Sequence, residues 1–180
     1  MSRYTFAILV HNRFGVLNRV TSMFRRRRFN IASLTVSETE TAAYSRITVV
    51  FDGEDQTKEQ LMHQLYKLPD VVVVRELDRE TTVSSELLLI KLANVAGDAR
   101  NDILDAAGAF EAKIMEYSRD AIMLQLVGDT LLIDNFIDLM RDYEILESCR
   151  TGVISLSRGV RTMRDGIGAQ EARYERGTVQ

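Results

Sequence analysis

The chain changes from strand-like to helix-like spacing within residues 10–20, which read Val10-His11-Asn12-Arg13-Phe14-Gly15-Val16-Leu17-Asn18-Arg19-Val20. Before this stretch, apolar side chains alternate from Tyr4 to Val10, which predicts a β-strand with apolar residues on both faces. From Val16 onward they recur every three or four residues and predict a helix with one apolar stripe. Residues 12–15 therefore predict a tight turn that joins a strand to a helix.

Outward from this turn, the spacing predicts the same order of elements twice. The first six are a strand ending at residue 10, a helix ended by Asn30, strands over 31–39 and 44–51, a helix stopped by Pro69, and a strand over 71–77. After a polar break at 78–82, the pattern predicts a strand, helix, hairpin, helix and strand over 86–92, 98–110, 112–127, 131–140 and 145–156. Each half has the order βαββαβ, an internal repeat of about eighty residues.

We therefore predict an α+β fold with two ferredoxin-like βαββαβ domains in tandem, over residues 1–78 and 79–159. Domains of this size bury a modest share of their surface, so two of them gain stability from docking or oligomerising. Residues 160–180 carry four arginines and few large apolar groups, which predicts a polar, mobile tail.

Composition limits the class of protein. The chain has 180 residues, of which 46% are hydrophobic and 27% charged, as expected of a folded globular protein. Its formal net charge of -3 argues against a nucleic-acid binder, and no apolar run approaches the roughly 18 residues of a membrane span. The single cysteine, Cys149, excludes an internal disulfide and a multi-cysteine metal site. We expect a packed thiol and a cytoplasmic protein.

The predicted helix start at Gly15 has the local chemistry of an anion site. Backbone amides at a helix start lack carbonyl partners, and the helix dipole adds partial positive charge, so a carboxylate is favoured there. Gly15 would allow a ligand to approach the backbone closely, and Asn12 offers a donor and an acceptor for the two charged ends of an amino acid. A tight turn without any ligand fits the same residues, so local chemistry leaves both interpretations open.

Other candidate sites are weaker. Arg25 to Arg28 are four consecutive helical positions, which span a full turn and cannot all face one surface. They therefore favour a solvated helix end over a nucleic-acid patch. His11 and His63 have no acidic or cysteine partner at ligand spacing, so we predict neither a metal site nor a catalytic residue. The sequence contains no P-loop, no GxSxG motif and no dinucleotide fingerprint.

Taken in order, these segments resemble a known family. Residues 12–20, followed by Phe29-Asn30-Ile31-Ala32-Ser33-Leu34-Thr35-Val36, resemble the amino-terminal half of acetolactate synthase small subunits. That half is an ACT domain, a sensor of amino acids. The resemblance covers about residues 3–159 and continues through residues 45–48, 64–68, 71–74, 86–91 and 150–159. It implies an ACT domain in the first half of the chain and the small-subunit carboxy-terminal domain in the second.

The resemblance also implies a function. It implies a non-catalytic regulatory subunit that activates the catalytic, large subunit of acetolactate synthase and confers feedback inhibition by valine, or a related branched-chain amino acid, on branched-chain amino-acid biosynthesis. Thiamine diphosphate, Mg and FAD are implied for the catalytic partner, and no cofactor for this chain. No nucleic-acid or membrane partner is expected.

The resemblance places valine where the ACT domains of a homodimer meet. One wall is formed by Asn12, Gly15, Val16 and Leu17, and the other by Asn30 and Ile31 of the partner subunit. If the residues are placed as the resemblance implies, we expect the Gly15 and Val16 amides to bind the carboxylate of the amino acid. The two asparagines would orient the polar ends, and Leu17 and Ile31 would hold the aliphatic side chain. Asn30 also fits a helix-ending residue in a left-handed conformation, and the two roles are compatible.

Two residues depart from the family pattern beside this pocket. Arg28 precedes Phe29, where the family commonly has glycine, and a positive φ there would cost arginine about 1 kcal/mol more than glycine. Phe14 replaces the small residue or proline often found beside the turn glycine. Both changes bear on ligand preference.

Three other functions fit parts of the pattern. A stand-alone amino-acid sensor would share the ACT domain but have no enzyme partner. An RNA-binding RRM has the same βαββαβ order, but residues 44–51 lack the glycines and aromatic spacing of its central strand. A small hydrolase would need a paired acid and base, which the sequence does not show.

Overall fold

The computed structural model describes residues 2–93 and 97–167. The first six elements are β1 (Ser2–His11), α1 (Val16–Arg26), β2 (Ile31–Glu38), β3 (Tyr44–Gly53), α2 (Asp55–Leu65) and β4 (Val71–Glu76). The same order follows in β5 (Thr82–Ala93), α3 (Asp98–Ala109), β6 (Lys113–Tyr117), β7 (Ala121–Gly128), α4 (Thr130–Met140) and β8 (Ile145–Arg150). A short strand β9 (Ile154–Ser157) and a 3-10 turn (Met163–Gly166) come last.

The described residues form two compact units. One comprises residues 2–83 together with 155–167, and the other residues 84–154. The first sheet has the strand order β2-β3-β1-β4, and the second repeats it as β6-β7-β5-β8. The pairings between these neighbouring strands are antiparallel. The prediction of two ferredoxin-like βαββαβ domains in an α+β fold is confirmed.

In the first unit, alternation along the strands creates two sheet faces. One face packs against both helices, in a core formed by Phe6, Ile8, Val10, Val16, Val20, Met23, Phe24, Ile47, Val49, Phe51, Leu61, Leu65 and Val74. The second unit has a separate core of the same kind, formed by Leu88, Ile90, Leu92, Ile103, Ala107, Ile122, Leu124, Leu126, Ile133, Phe136 and Met140. Both cores follow the period-two and period-3.6 patterns read from the sequence.

The chain after the second unit returns to the first sheet. On the face turned away from the helices, Ala7, Leu9, Val73 and Leu77 are buried together with Met163. This arrangement differs from the tail predicted from residue 160, because an apolar sheet face in water favours a cover and Met163 supplies one. The division between the units also differs from the predicted boundary at residue 78, since β5 begins at Thr82. Residues 168–180 of the predicted tail lie outside the described residues.

The end of α1 turns through a left-handed residue. Arg28 has φ 57, its N–H donates to Arg25 O at 3.1 Å, and the Phe29 N–H donates to Phe24 O at 3.0 Å. These two bonds form a Schellman motif. Arg28 therefore has the positive φ at which glycine would cost less than arginine. The left-handed interpretation of Asn30 is wrong, because α1 ends at Arg26 and Arg28 takes that conformation.

The second unit ends its first helix in the same way. Glu111 has φ 55, its N–H donates to Gly108 O at 3.2 Å, and the Ala112 N–H donates to Ala107 O at 2.8 Å. Both repeats thus use a non-glycine residue at a position where glycine has the lowest conformational cost. The internal repeat extends to this detail of backbone geometry.

Three other expectations concern membrane spans, metal sites and the cysteine. Within residues 2–93 and 97–167, no helix is long and apolar enough to cross a membrane. The same ranges contain no cluster of three or more histidine, cysteine or acidic residues placed to hold a metal ion. Cys149 is exposed, so the packed thiol expected from the sequence is wrong. It pairs with Leu89, which lies on the opposite side of β5 from the core residues Leu88 and Ile90.

Replacing Arg28 with glycine tests the strained helix end. Relief of a left-handed non-glycine residue is worth about 1–2 kcal/mol, whereas the added freedom of the unfolded chain costs about 0.4–1 kcal/mol. We expect Arg28→Gly to raise the free energy of unfolding by about 0.5–1 kcal/mol, measured by urea denaturation. The control Arg26→Gly, two residues earlier in the helix, should lower it by about 1 kcal/mol. Equal changes in the free energy of unfolding of the two variants would show that the left-handed conformation of Arg28 is not the cause of the change in stability.

Candidate functional site

The turn before α1 depends on a left-handed glycine. Gly15 has φ 80 and ψ -4, and its carbonyl accepts the first helical hydrogen bond, from the Arg19 N–H at 3.0 Å. The N–H of Arg13 donates to His11 O at 3.0 Å, and the N–H of Val16 donates to Arg13 O at a long 3.4 Å. Gly15 has no side chain to cap the helix, and the first turn contains no acidic residue. The first-turn amides and the helix dipole therefore lack a negative partner from the capping residue or the turn itself.

Asn12 is held by the loop between β2 and β3. Its backbone N–H donates to Ala43 O at 2.8 Å, and its side-chain Nδ2 donates to Ala42 O at 3.1 Å and to Glu38 Oε1 at 3.3 Å. Both hydrogens of the side-chain amide are thus directed at groups of this chain. The Oδ1 atom is the acceptor of this amide group.

Asp70 secures the turn from the other side. Its backbone carbonyl accepts the His11 N–H at 2.9 Å, and its carboxylate forms an ion pair with the Arg19 guanidinium in α1. Only 7% of Asp70 is exposed. The pair fixes the angle between the end of β1 and the start of α1. Sequence analysis missed Asp70, whose only local signal is its place between Pro69 and the next strand.

The predicted apolar contacts divide into buried and exposed ones. Val16 is buried in the core, so only its backbone can meet a ligand. Leu17 is 42% exposed, Val36 near the end of β2 is 42% exposed, and Phe14 is fully exposed. These three exposed residues lie around the glycine turn and the end of β2. Large apolar groups in such positions are available to a ligand or to another chain.

The structure does not bring the two predicted walls together within one chain. Ile31 pairs with Phe51, which in turn pairs with Tyr4 near the start of β1. Asn12 lies eight residues beyond Tyr4, at the other end of β1 and about 26 Å away at roughly 3.3 Å per residue. Asn30 is exposed and precedes β2, whereas Ile31 packs partly against the core. The two walls lie at opposite ends of the sheet.

Strand β2 connects these two ends and forms an edge of the first sheet. It begins with Ile31, and it ends with Glu38, the residue that accepts from Asn12. An edge strand presents a row of backbone donors and acceptors without a neighbouring strand. Both predicted walls therefore border the same open edge.

Comparison with known proteins identifies both halves of the chain. The model of a family described as AHAS small subunit-like ACT domain matches residues 6–73. A second, described as small subunit of acetolactate synthase, matches residues 85–159. The solved structure of the acetolactate synthase small subunit from Thermotoga maritima superposes with a TM-score of 0.81 at 34% identity, covering 89% of this chain and 100% of that chain.

Curated relatives are similar to this chain along most of its sequence. The probable acetolactate synthase small subunit of Archaeoglobus fulgidus is 43% identical over 157 residues, which cover 87% of this chain and 98% of that protein. The small subunit of Bacillus subtilis is 42% identical over 154 residues, covering 84% and 88% respectively. The two family matches follow the order of the two structural units, and the chain therefore belongs to the acetolactate synthase small subunit family.

Proposed function

We propose that this chain is the regulatory subunit of an acetolactate synthase. It assembles with a separate catalytic subunit, activates it, and makes it sensitive to feedback inhibition by valine or a related branched-chain amino acid. The names of the relatives support the assignment as a small subunit. Thiamine diphosphate, Mg and FAD belong, in this proposal, to the catalytic subunit, and the complex is cytoplasmic.

The position of the two walls beside opposite ends of β2 is the observation that supports the ligand site. If β2 pairs antiparallel with β2 of a second copy, the start of one strand lies beside the end of the other. Asn30 and Ile31 of the partner subunit then face Asn12 and the glycine turn of the first. A two-fold axis generates a second, identical site, because such an interface is self-complementary.

Exposed apolar groups support the same dimer. Phe14, Leu17 and Val36 lie near the end of β2 that would meet the second copy. Burial of apolar surface contributes about 25 cal/mol per Å² removed from water, so covering these side chains favours association. The dimer would also provide hydrogen-bond partners for the open edge of the sheet.

The chemistry of the combined site suits a small aliphatic amino acid. The carboxylate meets the first-turn amides at the positive end of the α1 dipole. The ammonium group meets Asn12 Oδ1, with the Glu38 carboxylate beside it. The aliphatic side chain packs against Leu17 and against Ile31 of the partner subunit. Because both chains contribute, the ligand binds only one pairing geometry well, and such coupling is typically worth about 1–3 kcal/mol.

Reconstitution tests the proposed function directly. We expect the purified chain to raise the activity of its catalytic subunit, and valine to reverse that increase, because the ligand shifts the dimer toward one geometry. The measurement is the rate of acetolactate formation with and without this chain, across a valine titration. Valine binding without any effect on the enzyme would instead support the stand-alone sensor. If the chain neither bound valine nor activated the enzyme, both functions would be contradicted.

Replacing Gly15 tests the carboxylate position. A Cβ atom at Gly15 meets no atom within 4 Å, so substitution causes no clash within this chain, although φ +80 strains most side chains. Gly15→Asp should abolish valine inhibition, because its negative charge occupies the place of the ligand carboxylate, and should leave assembly with the enzyme intact.

The matched control is Gly15→Asn, which has the same size as aspartate, no charge, and a side chain that tolerates the left-handed region. It should retain most of the valine response. Inhibition curves of the reconstituted enzymes provide the comparison. Unchanged inhibition of the aspartate variant, or equal loss in both variants, would contradict the assignment.

A further inference from the structure

The segment around α1 carries an excess of positive charge. Residues 12–37 contain no acidic residue and six basic ones, which are Arg13, Arg19, Arg25, Arg26, Arg27 and Arg28. Removing these six from the 23 basic residues of the chain leaves 17 basic against 26 acidic residues, a formal net charge of -9. Positive charge is therefore concentrated on one helix, and the turns beside it, in a chain that is otherwise acidic.

The arginine cluster, residues 25–28 at the end of α1, lacks acidic partners. Arg19, one helix face away, forms an ion pair with Asp70. The four residues of the cluster are exposed, and within residues 2–93 and 97–167 none of them pairs with a carboxylate. Arg27 donates through Nη2 to the amide oxygen of Gln64 at 3.1 Å, and this amide is a neutral partner. The cluster therefore keeps its positive charge.

The fold does not require arginines at this helix end. A helix C-terminus attracts positive charge, but its dipole is equivalent to about half an elementary charge, which a single arginine exceeds. The first helix of the second unit, α3, has no basic residue in its last turn and ends through the same backbone motif with Glu111. Like charges one turn apart repel each other, and the left-handed conformation of Arg28 costs arginine more than glycine. Recognition of another molecule accounts for a cluster that the fold does not need.

Part of the cluster lines a cleft between α1 and α2. The cleft has a volume of about 360 Å³ and is lined by Met23, Arg26, Arg27 and Gln64, so none of the described residues that line it is acidic. Met23 is buried in the core, and the two guanidinium groups and the Gln64 amide supply hydrogen-bond donors. A guanidinium group matches a carboxylate through two parallel hydrogen bonds. The cleft therefore has room and charge for carboxylate side chains of another molecule.

The proposed dimer leaves this cleft accessible. Helix α1 leads into β2 and helix α2 into β4, which are the two edge strands of the first sheet. The cleft lies between the two helices, whereas the proposed dimer pairs the open edge of β2. A third molecule can therefore reach the cleft while the dimer is intact.

The distribution of charge favours an acidic protein surface over a nucleic acid. A nucleic-acid duplex presents phosphates along a continuous surface, and binding usually needs several basic residues along that surface. The cluster is confined to about one helical turn, and the acidic remainder of the chain repels a polyanion. A local acidic patch on a folded protein matches such a compact cluster better.

We propose that the arginine cluster docks on an acidic surface of the catalytic subunit, with Arg26 and Arg27 receiving its carboxylates in the cleft. The docking surface rests on the proposed function, because its partner is the enzyme that this chain regulates. Arginine is enriched among the residues that dominate protein–protein binding. Arg28 lies two residues before Asn30, so a change at the proposed ligand wall reaches the docking surface through a short stretch of chain.

The test is titration of the purified catalytic subunit with the full-length chain, with the rate of acetolactate formation as the readout. We expect Arg26→Glu to raise the concentration that gives half-maximal activation at least tenfold, because it replaces attraction by repulsion at the docking surface. The control Arg119→Glu changes the net charge equally at an exposed position of the second unit and should raise that concentration less than twofold. Thermal unfolding followed by circular dichroism checks that both variants are folded.

Salt dependence of the parent chain is a second measurement that needs no variant. Between ionic strengths of about 0.01 and 0.15 M, the Debye length falls from about 30 to about 8 Å. The concentration that gives half-maximal activation should therefore rise at least fivefold for the parent chain, and less for Arg26→Glu.

The outcomes separate this docking surface from the proposed function. Activation by the parent chain that is equal in Arg26→Glu, or independent of salt, would overturn the docking surface and leave the regulatory function intact. A parent chain that never activates the enzyme would contradict both. Tighter binding of a short DNA duplex than of the catalytic subunit, measured by fluorescence anisotropy, would overturn the docking surface and assign the cluster to nucleic acid.

Discussion

The left-handed conformation of Gly15 is the constraint on which the site depends. Because φ is 80 at this residue, β1 can end and α1 can begin within a few residues, and the first-turn amides are left without a side-chain acceptor. The turn is fixed on both sides, by Asn12 bound to the loop after β2 and by Asp70 bound to His11 and Arg19. A helix start held in this way offers backbone amides to an anion, such as the carboxylate of the proposed ligand.

The second unit repeats this architecture with a different helix start. Gly97 precedes α3 at φ 80 but at ψ -145, and Asp98 supplies an acidic side chain in the first turn. That carboxylate complements the helix dipole from within the chain, whereas the first turn of α1 contains no acid. We interpret the comparison as a division of roles. The first unit has a helix start without an acidic residue in its first turn, which suits the proposed amino-acid ligand, and the second has Asp98 in that turn.

Much of the fold follows from the spacing of apolar residues, because period-two and period-3.6 patterns report directly which face is buried. Long-range features were not available from that pattern. The cover that Met163 provides for Ala7 and Leu9 joins segments that are far apart in the sequence. The role of Asp70 depends on a contact with Arg19 that no local spacing encodes. For the site, the resemblance supplied the residues, but only the strand register showed that Asn12 and Asn30 lie at opposite ends of one sheet.

The central claim is that each amino-acid site takes one wall from each of two chains. The most direct measurement is valine binding by heterodimers of Gly15→Asp and Asn30→Trp chains, isolated through two different affinity tags. Each variant alone should bind no valine, because every site of its homodimer has one damaged wall. Cross-chain sites give the heterodimer one intact and one doubly damaged site, so calorimetry should show about half of the parent capacity. A pure heterodimer that binds no valine would place both walls in the same chain and contradict the claim.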